Sequence, residues 1–265
     1  MSRGASERGL SLVEVVVALA ASGILTVGLV RFFKDFNRSY NQQEQVADRD
    51  MNAHYTVKRI SEAFMSAGAN LPSEGWPLIS MPEGNPGPRV LMGINPRGGV
   101  QYLAAPLAAA LEVPIDDPKA FAKATAVLAD PQPVGLPTVK VPIDLGYNSD
   151  GFVKGIKQAG TEAWVRLASP LTMEIGDAIY AYAEEDFRLQ DGNLLLDGNV
   201  LAENIQDLTF SLFTSNQSLT TQWSAMRSAK IQVKARTRAP DPGYGANGGY
   251  RAIDLNMDVL LRNRL

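Results

Sequence analysis

The sequence predicts an α+β fold: one long N-terminal helix packed on an antiparallel β-sheet head, with a long Pro/Gly-rich insert between them. Three observations predict it. Residues 10–68 contain no proline and, beyond Gly28, no glycine before Gly68. Residues 71–142 hold thirteen of the sixteen prolines. From Val139 onward, short apolar runs alternate with turn residues, the mark of strands joined by tight connections.

The first element is the helix. From Leu10 to Val30 the only charged side chain is Glu14, and the rest are aliphatic, Gly, Ser and Thr. At about 1.5 Å per residue such a segment spans roughly 30 Å, the thickness of one hydrocarbon core. Arg31 and Lys34 come next, where head groups or water would receive them. A secretory signal has a shorter apolar stretch and a small-residue cleavage site after it; here Ala20–Gly23 lies in the middle of the run. A plain anchor fits the length but leaves Glu14 without a reason, since a charge at depth in a bilayer costs at least about 2.5 kcal/mol near the centre. Beyond the run, Val46, Ala53, Val57, Ile60, Phe64 and Ala67 recur at helical spacing and form one apolar stripe. The helix is expected to continue to Ala67 and stop at Gly68, with Pro72 just beyond. Phe32, Phe33 and Phe36 fit apolar anchoring or subunit packing, and His54 an ordinary surface or packing role.

The insert is expected to be irregular, with short strands such as Arg89–Ile94 and a short helix near Pro118–Leu128. A connection this long is usually functional or partly disordered. Strands are expected at Val139–Leu145, Phe152–Ile156, Ala163–Ala168, Ala178–Ala183, Phe187–Gln190, Leu194–Leu196 and Asn204–Phe213. Asp191-Gly192-Asn193 and Asp197-Gly198-Asn199 invite a calcium-loop reading, but the late glutamate of such a loop is missing. Asp-Gly supplies the positive φ of tight turns, so turns are expected. Near the C-terminus, Ala229, Ile231, Val233 and Ala235 alternate with Lys230, Gln232, Lys234 and Arg236, and Ile253, Leu255, Met257 and Val259 alternate with Asp254, Asn256 and Asp258. A hairpin centred near Gly245 is expected to set Arg236 opposite Asp254, which accounts for the basic stripe without nucleic acid.

Composition narrows the function classes. The 265 residues carry a net charge of −3, no cysteine and one histidine. Disulfides, thiol catalysis and thiolate metal sites are excluded, and most histidine-based acid–base or metal sets with them. No catalytic set, cofactor or metal cluster is discernible, so an enzyme is not expected, and the net charge gives no bulk attraction to nucleic acid.

Gly9-Leu10-Ser11-Leu12-Val13-Glu14, after a short leader with Arg3 and Arg8, resembles the processing site of type IV prepilins. The usual first mature residue of that family is Phe, so Leu10 is a departure. The resemblance implies cleavage between Gly9 and Leu10, N-methylation of Leu10, and a role for Glu14 in subunit assembly, where it would neutralise the new amine of a neighbour. It implies the organisation 1–9 leader, 10–68 helix with 10–30 transmembrane, 69–142 irregular region and 143–265 β-rich head. Looser stretches, Arg59–Gly68, Ala178–Tyr182, Leu201–Phe210 and Leu261–Arg264 among them, resemble PilW-type minor pilins; the J-type pseudopilin of type II secretion is the nearest rival. A PilW-type resemblance implies a low-abundance subunit that primes a type IV pilus and sits at its tip, or alternatively an adhesin or DNA-uptake pilin displayed there. The partners implied are other minor pilins, the major pilin, a prepilin peptidase/methylase, the inner-membrane assembly machinery and, before assembly, the inner membrane itself; afterwards the subunit belongs to the fibre on the cell surface.

Overall fold

Helix α1 (Leu12–Ser66) is a single α-helix, and its stop is built by glycine. Gly68 adopts φ 75°, which only glycine takes without strain, and its N–H donates to the Gly93 carbonyl at 3.0 Å. The structure, a computed structural model, describes residues 11–72, 79–82, 89–95, 98–130, 138–149, 151–222 and 225–261. The chain divides into two compact units, Met1–Asp48 with Thr237–Arg251, and Arg49–Arg236 with Ala252–Leu265.

The larger unit is β-rich and antiparallel throughout. Its strands are β1 (Ile79–Ser80), β2 (Arg89–Ile94), β3 (Val100–Tyr102), β4 (Leu107–Ile115), β5 (Ala126–Asp130), β6 (Val139–Pro142), β7 (Phe152–Val153), β8 (Ile156–Ala159), β9 (Glu162–Met173), β10 (Ala178–Gln190), β11 (Asn193–Leu196), β12 (Asn199–Glu203), β13 (Ile205–Phe213), β14 (Ser228–Arg236) and β15 (Ala252–Leu260). A short helix, α2 (Pro118–Phe121), is capped by the Asp117 carboxylate and carries Pro118 in its first turn. The strands form three sheets: β1-β2-β10-β11-β12 with β3, β5 and β6 attached, β4-β9-β8-β7, and β13-β14-β15.

Strand β10 is the spine. It pairs with β2, β3, β5 and β11, and its side chains serve two cores. Tyr182, Phe187 and Leu189 join the core of the outer half of α1, with Ala53, Val57, Ile60 and Phe64. Ile179 and Ala181 join a second core with Phe121, Val141, Val165 and Leu167. Neighbouring β5 splits in the same way, with Ala126 and Leu128 on one side and Val127 and Ala129 on the other. A strand buried on both faces has no polar alternation, which is why Ala126–Asp130 resembles a helix in the sequence.

The α+β class and the apolar stripe of α1 are as expected: Ala53, Val57, Ile60, Phe64 and Ala67 are all buried and Val46 is half-buried. The Asp191-Gly192 and Asp197-Gly198 pairs are two-residue hairpin turns, with φ of 52° and 77° in the first and 51° and 80° in the second. Several expectations need correction. The segment from Ile79 to Pro142 is no irregular connection, since its described residues carry six strands, and the expected helix beyond Phe121 is strand β5. The two runs at Ala178 and Phe187 are one strand, because Glu184, Glu185 and Asp186 between them are each paired, with Lys140 at 2.5 Å, Arg59 at 2.6 Å and Arg89 at 2.8 Å. Strand β12 precedes β13 and belongs to a different sheet; Asn204, at φ 60°, makes the break. In the last hairpin Lys234, not Arg236, faces Asp254, and Arg236 faces Ala252. The pairing closes on Thr237 and Arg251, whose N–H and carbonyl meet at 2.9 Å, so the loop is centred on Tyr244. A two-residue shift preserves which side chains face the core.

Candidate functional site at the start of the long helix

Ser11 and Glu14 meet in the first turn of α1. The Glu14 N–H donates to Ser11 Oγ at 3.2 Å, and the Ser11 N–H donates to Glu14 Oε2 at 2.8 Å. This is a reciprocal capping box, which satisfies two helix-terminal donors at once and places a negative charge at the positive end of the helix dipole. The acid therefore has a local partner as well as any external one. Ser-x-x-Glu before an apolar run is the sequence signal for this arrangement, and reading Glu14 only as an unpaired acid overlooks it. Gly9 and Leu10 lie outside the described residues, so the structure places Glu14 alone of the three expected site residues.

From Val15 to Val30 the helix is apolar on all sides. Residues 11–41 are exposed throughout, including Leu12 at 82 %, Ile24 at 75 % and Leu25 at 68 %. A window of mean hydropathy 2.3 within α1 has none of its residues buried, so one helix here is long and apolar enough to cross a membrane. Helices hydrophobic all round are stable only when something covers them. Phe32, Phe33 and Phe36 are exposed and touch one another, with ring centroids 5.9 Å and 6.3 Å from Phe32. His54 is exposed, its Nδ1 2.8 Å from the Asp50 carbonyl oxygen.

A second polar cluster lies in the smaller unit, centred on Asp241. Its carboxylate accepts from Gln42 Nε2 at 2.6 Å, Arg251 Nη2 at 2.8 Å, the Gly243 N–H at 2.9 Å and Arg38 Nη2 at 3.5 Å. Gln45 Oε1 accepts from the Ala239 N–H at 3.0 Å. Arg38, Gln42 and Gln45 share one face of α1 at spacings of four and three, so the loop Thr237–Arg251 is strapped along it. Partners two hundred residues apart leave no trace in a linear pattern, and sequence reading missed this cluster. The Gly243 N–H foremost, opposed by burial and helped by Arg251 and Arg38, holds the Asp241 carboxyl below the usual carboxylate range. In the larger unit, burial pushes Asp186 up, but hydrogen bonds and charge from Arg89 and Arg188 outweigh it and hold the group low. Burial, with Asp130 nearby, raises the Tyr180 phenol.

Asp241 and Asp186 are thus each held in ion pairs with arginines. No group of three or more His, Cys, Asp or Glu side chains suited to a metal ion occurs among the described residues. A groove of about 610 Å³ is lined by apolar side chains such as Ile79, Met81, Phe210 and Met226 together with polar ones that include Arg89 and Asp207. No family model, curated protein or solved structure matches this chain.

Proposed function

We propose that this chain is a membrane-anchored structural subunit of the type IV pilin class, a PilW-type minor pilin that primes assembly of a pilus at its tip and has no active site of its own. The observation that carries the reading is the first turn of α1. A single carboxylate stands at the head of an otherwise apolar, fully exposed helical run, on a helix whose outer half builds the core of a β-rich unit. Cleavage between Gly9 and Leu10 creates an α-ammonium four residues before Glu14 in the chain. In the low dielectric of a packed fibre, the Glu14 carboxylate of one subunit pairs with the Leu10 amine of the next. The capping box supports this role, because it fixes the direction of the acid before a partner arrives. The membrane holds the apolar run until neighbouring subunits replace the lipid.

Two measurements test the reading. A purified prepilin peptidase should cut the full chain after Gly9, and Gly9→Val should block the cut. Glu14→Val should still be cleaved but should be recovered in sheared pili at less than about a tenth of the wild-type level, since each buried charge pair lost costs about 3 kcal/mol. Normal recovery of the Glu14→Val subunit overturns the role of Glu14. Recovery of the protein with a secretion complex instead of a pilus would assign it to the pseudopilins.

A further inference from the structure

The three-stranded sheet β13-β14-β15 has an edge at β15 that is open among the described residues, and its two faces are unfinished in different ways. On the core face, β14 is complete: Ile231, Val233 and Ala235 are at most 1 % exposed. Their partners one strand further out are Met257, Leu255 and Ile253. Met257 is 40 % exposed, and Leu255 and Ile253 are only half-buried. The apolar layer thus thins at β15.

On the outer face the charges alternate across the sheet. Asp207, Lys234 and Asp254 form one row, and Ser211, Lys230 and Asp258 another. Each row ends at β15 on an exposed carboxylate whose paired residue on β14 is a lysine. Asn256 lies between them, level with Gln232 and Thr209.

The edge has few of the devices that keep sheets from adding strands: its charges are the exposed carboxylates of Asp254 and Asp258, and at its start Arg49 Nη1 donates to the Ala252 carbonyl at 3.4 Å. Ala252–Leu260 contains no Pro, Gly, Lys or Arg, and its nine pairs with β14 run without a bulge. We infer that β15 is a docking edge for a strand of a partner protein, in which apolar residues alternate with polar ones and two basic residues stand four apart. Its apolar side chains lie beside Ile253, Leu255 and Met257 and complete the core layer. Its basic side chains fall opposite Asp254 and Asp258 and continue both charge rows. Main-chain hydrogen bonds supply affinity, and the alternate side chains set the choice of partner. The docking edge belongs to the β-rich unit and is independent of the pilin reading.

The test uses the full chain in detergent and two fluorescent peptides, Val-Lys-Val-Thr-Val-Lys-Val and its counterpart with Glu in place of Lys. The lysine peptide should bind about tenfold more tightly than the glutamate peptide, as two pairs change from attraction to repulsion. Amide hydrogen exchange should slow in Ala252–Leu260 when it binds. Asp254→Lys with Asp258→Lys, both at exposed positions, should reverse the preference. Equal binding of the two peptides, binding of neither, or protection confined to other strands overturns the assignment. The wild-type preference stands as a test even if the double variant fails to fold.

Discussion

Asp241 gains its low pKa from being folded, and this makes the strap sensitive to acid. In the unfolded chain its carboxyl titrates near the ordinary value of about 3.9, whereas the Gly243 N–H, against some burial, and the Arg251 and Arg38 guanidinium groups depress it in the folded state. A depressed carboxyl contributes stability that is fully present above the unfolded pKa and is lost as pH falls through the folded one. The strap Thr237–Arg251 should therefore hold from neutral pH to about 4 and loosen below it. Asp241→Asn keeps the shape but removes the charge that Arg251 and Arg38 bond. At pH 7 it should speed hydrogen exchange in Thr237–Arg251 several-fold, and the difference between the variant and the wild type should shrink as the pH falls below about 4. A difference that persists at low pH would mean that shape, not charge, secures the strap. Glu14 contrasts with Asp241 in having one near partner, the Ser11 N–H at 2.8 Å, and in being exposed, as suits a group proposed to change partners.

At the scale of elements, α1 holds its outer half through packing rather than propensity. Phe64 is fully buried, its ring 5.9 Å from that of Phe210 on β13, and Ile60 and Val57 lie in the same core. Phe64→Ala should lower the unfolding free energy by about 3–5 kcal/mol, measured by denaturant titration, through lost transfer energy and the cavity left behind. A loss under about 1 kcal/mol would mean that the helix is held elsewhere. This helix was legible because its stripe repeats at helical spacing and Gly68 ends it. The last hairpin was legible in its faces, since alternation fixes them, but not in its register, which depends on where the Thr237–Arg251 loop closes. Strand β4 was not legible: Leu107–Ile115 lacks alternation, carries Pro114, and as a sheet edge tolerates it. Nor was the continuity of β10, because Glu184, Glu185 and Asp186 look like a break until Lys140, Arg59 and Arg89 arrive from other elements. At the site, Ser11 was within reach through its spacing to Glu14, while the Asp241 cluster was beyond it. The same long-range pairing bears on the adhesin alternative. Strands β2, β3 and β5 pair directly with β10, so removing residues 71–142 would dismantle the spine, and a ligand role there is testable only by point substitution on exposed side chains.

For the molecule as a whole, the question is whether the apolar run contributes to folding or only to location. Residues 11–41 are exposed, and both cores begin later in the chain, the first at Ala53 and the second at Leu103. Area that is never buried within the fold contributes nothing to its stability. The strap bonds begin only at Arg38, so, among the described residues, a chain lacking residues 1–36 keeps the polar contacts of Asp241 and the buried side chains. Such a chain should stay in solution without detergent and melt within about 2 °C of the detergent-solubilised full chain, as expected for a change outside packed or paired groups. The full chain, in contrast, should partition into lipid vesicles, because an apolar helix exposed on all sides has no other low-energy surroundings as a single copy. A melting temperature lowered by about ten degrees in the shortened chain would show that the run is a folding element after all. It would also count against a subunit that waits in the membrane already folded, since assembly would then have to form the β-rich unit as well as place it.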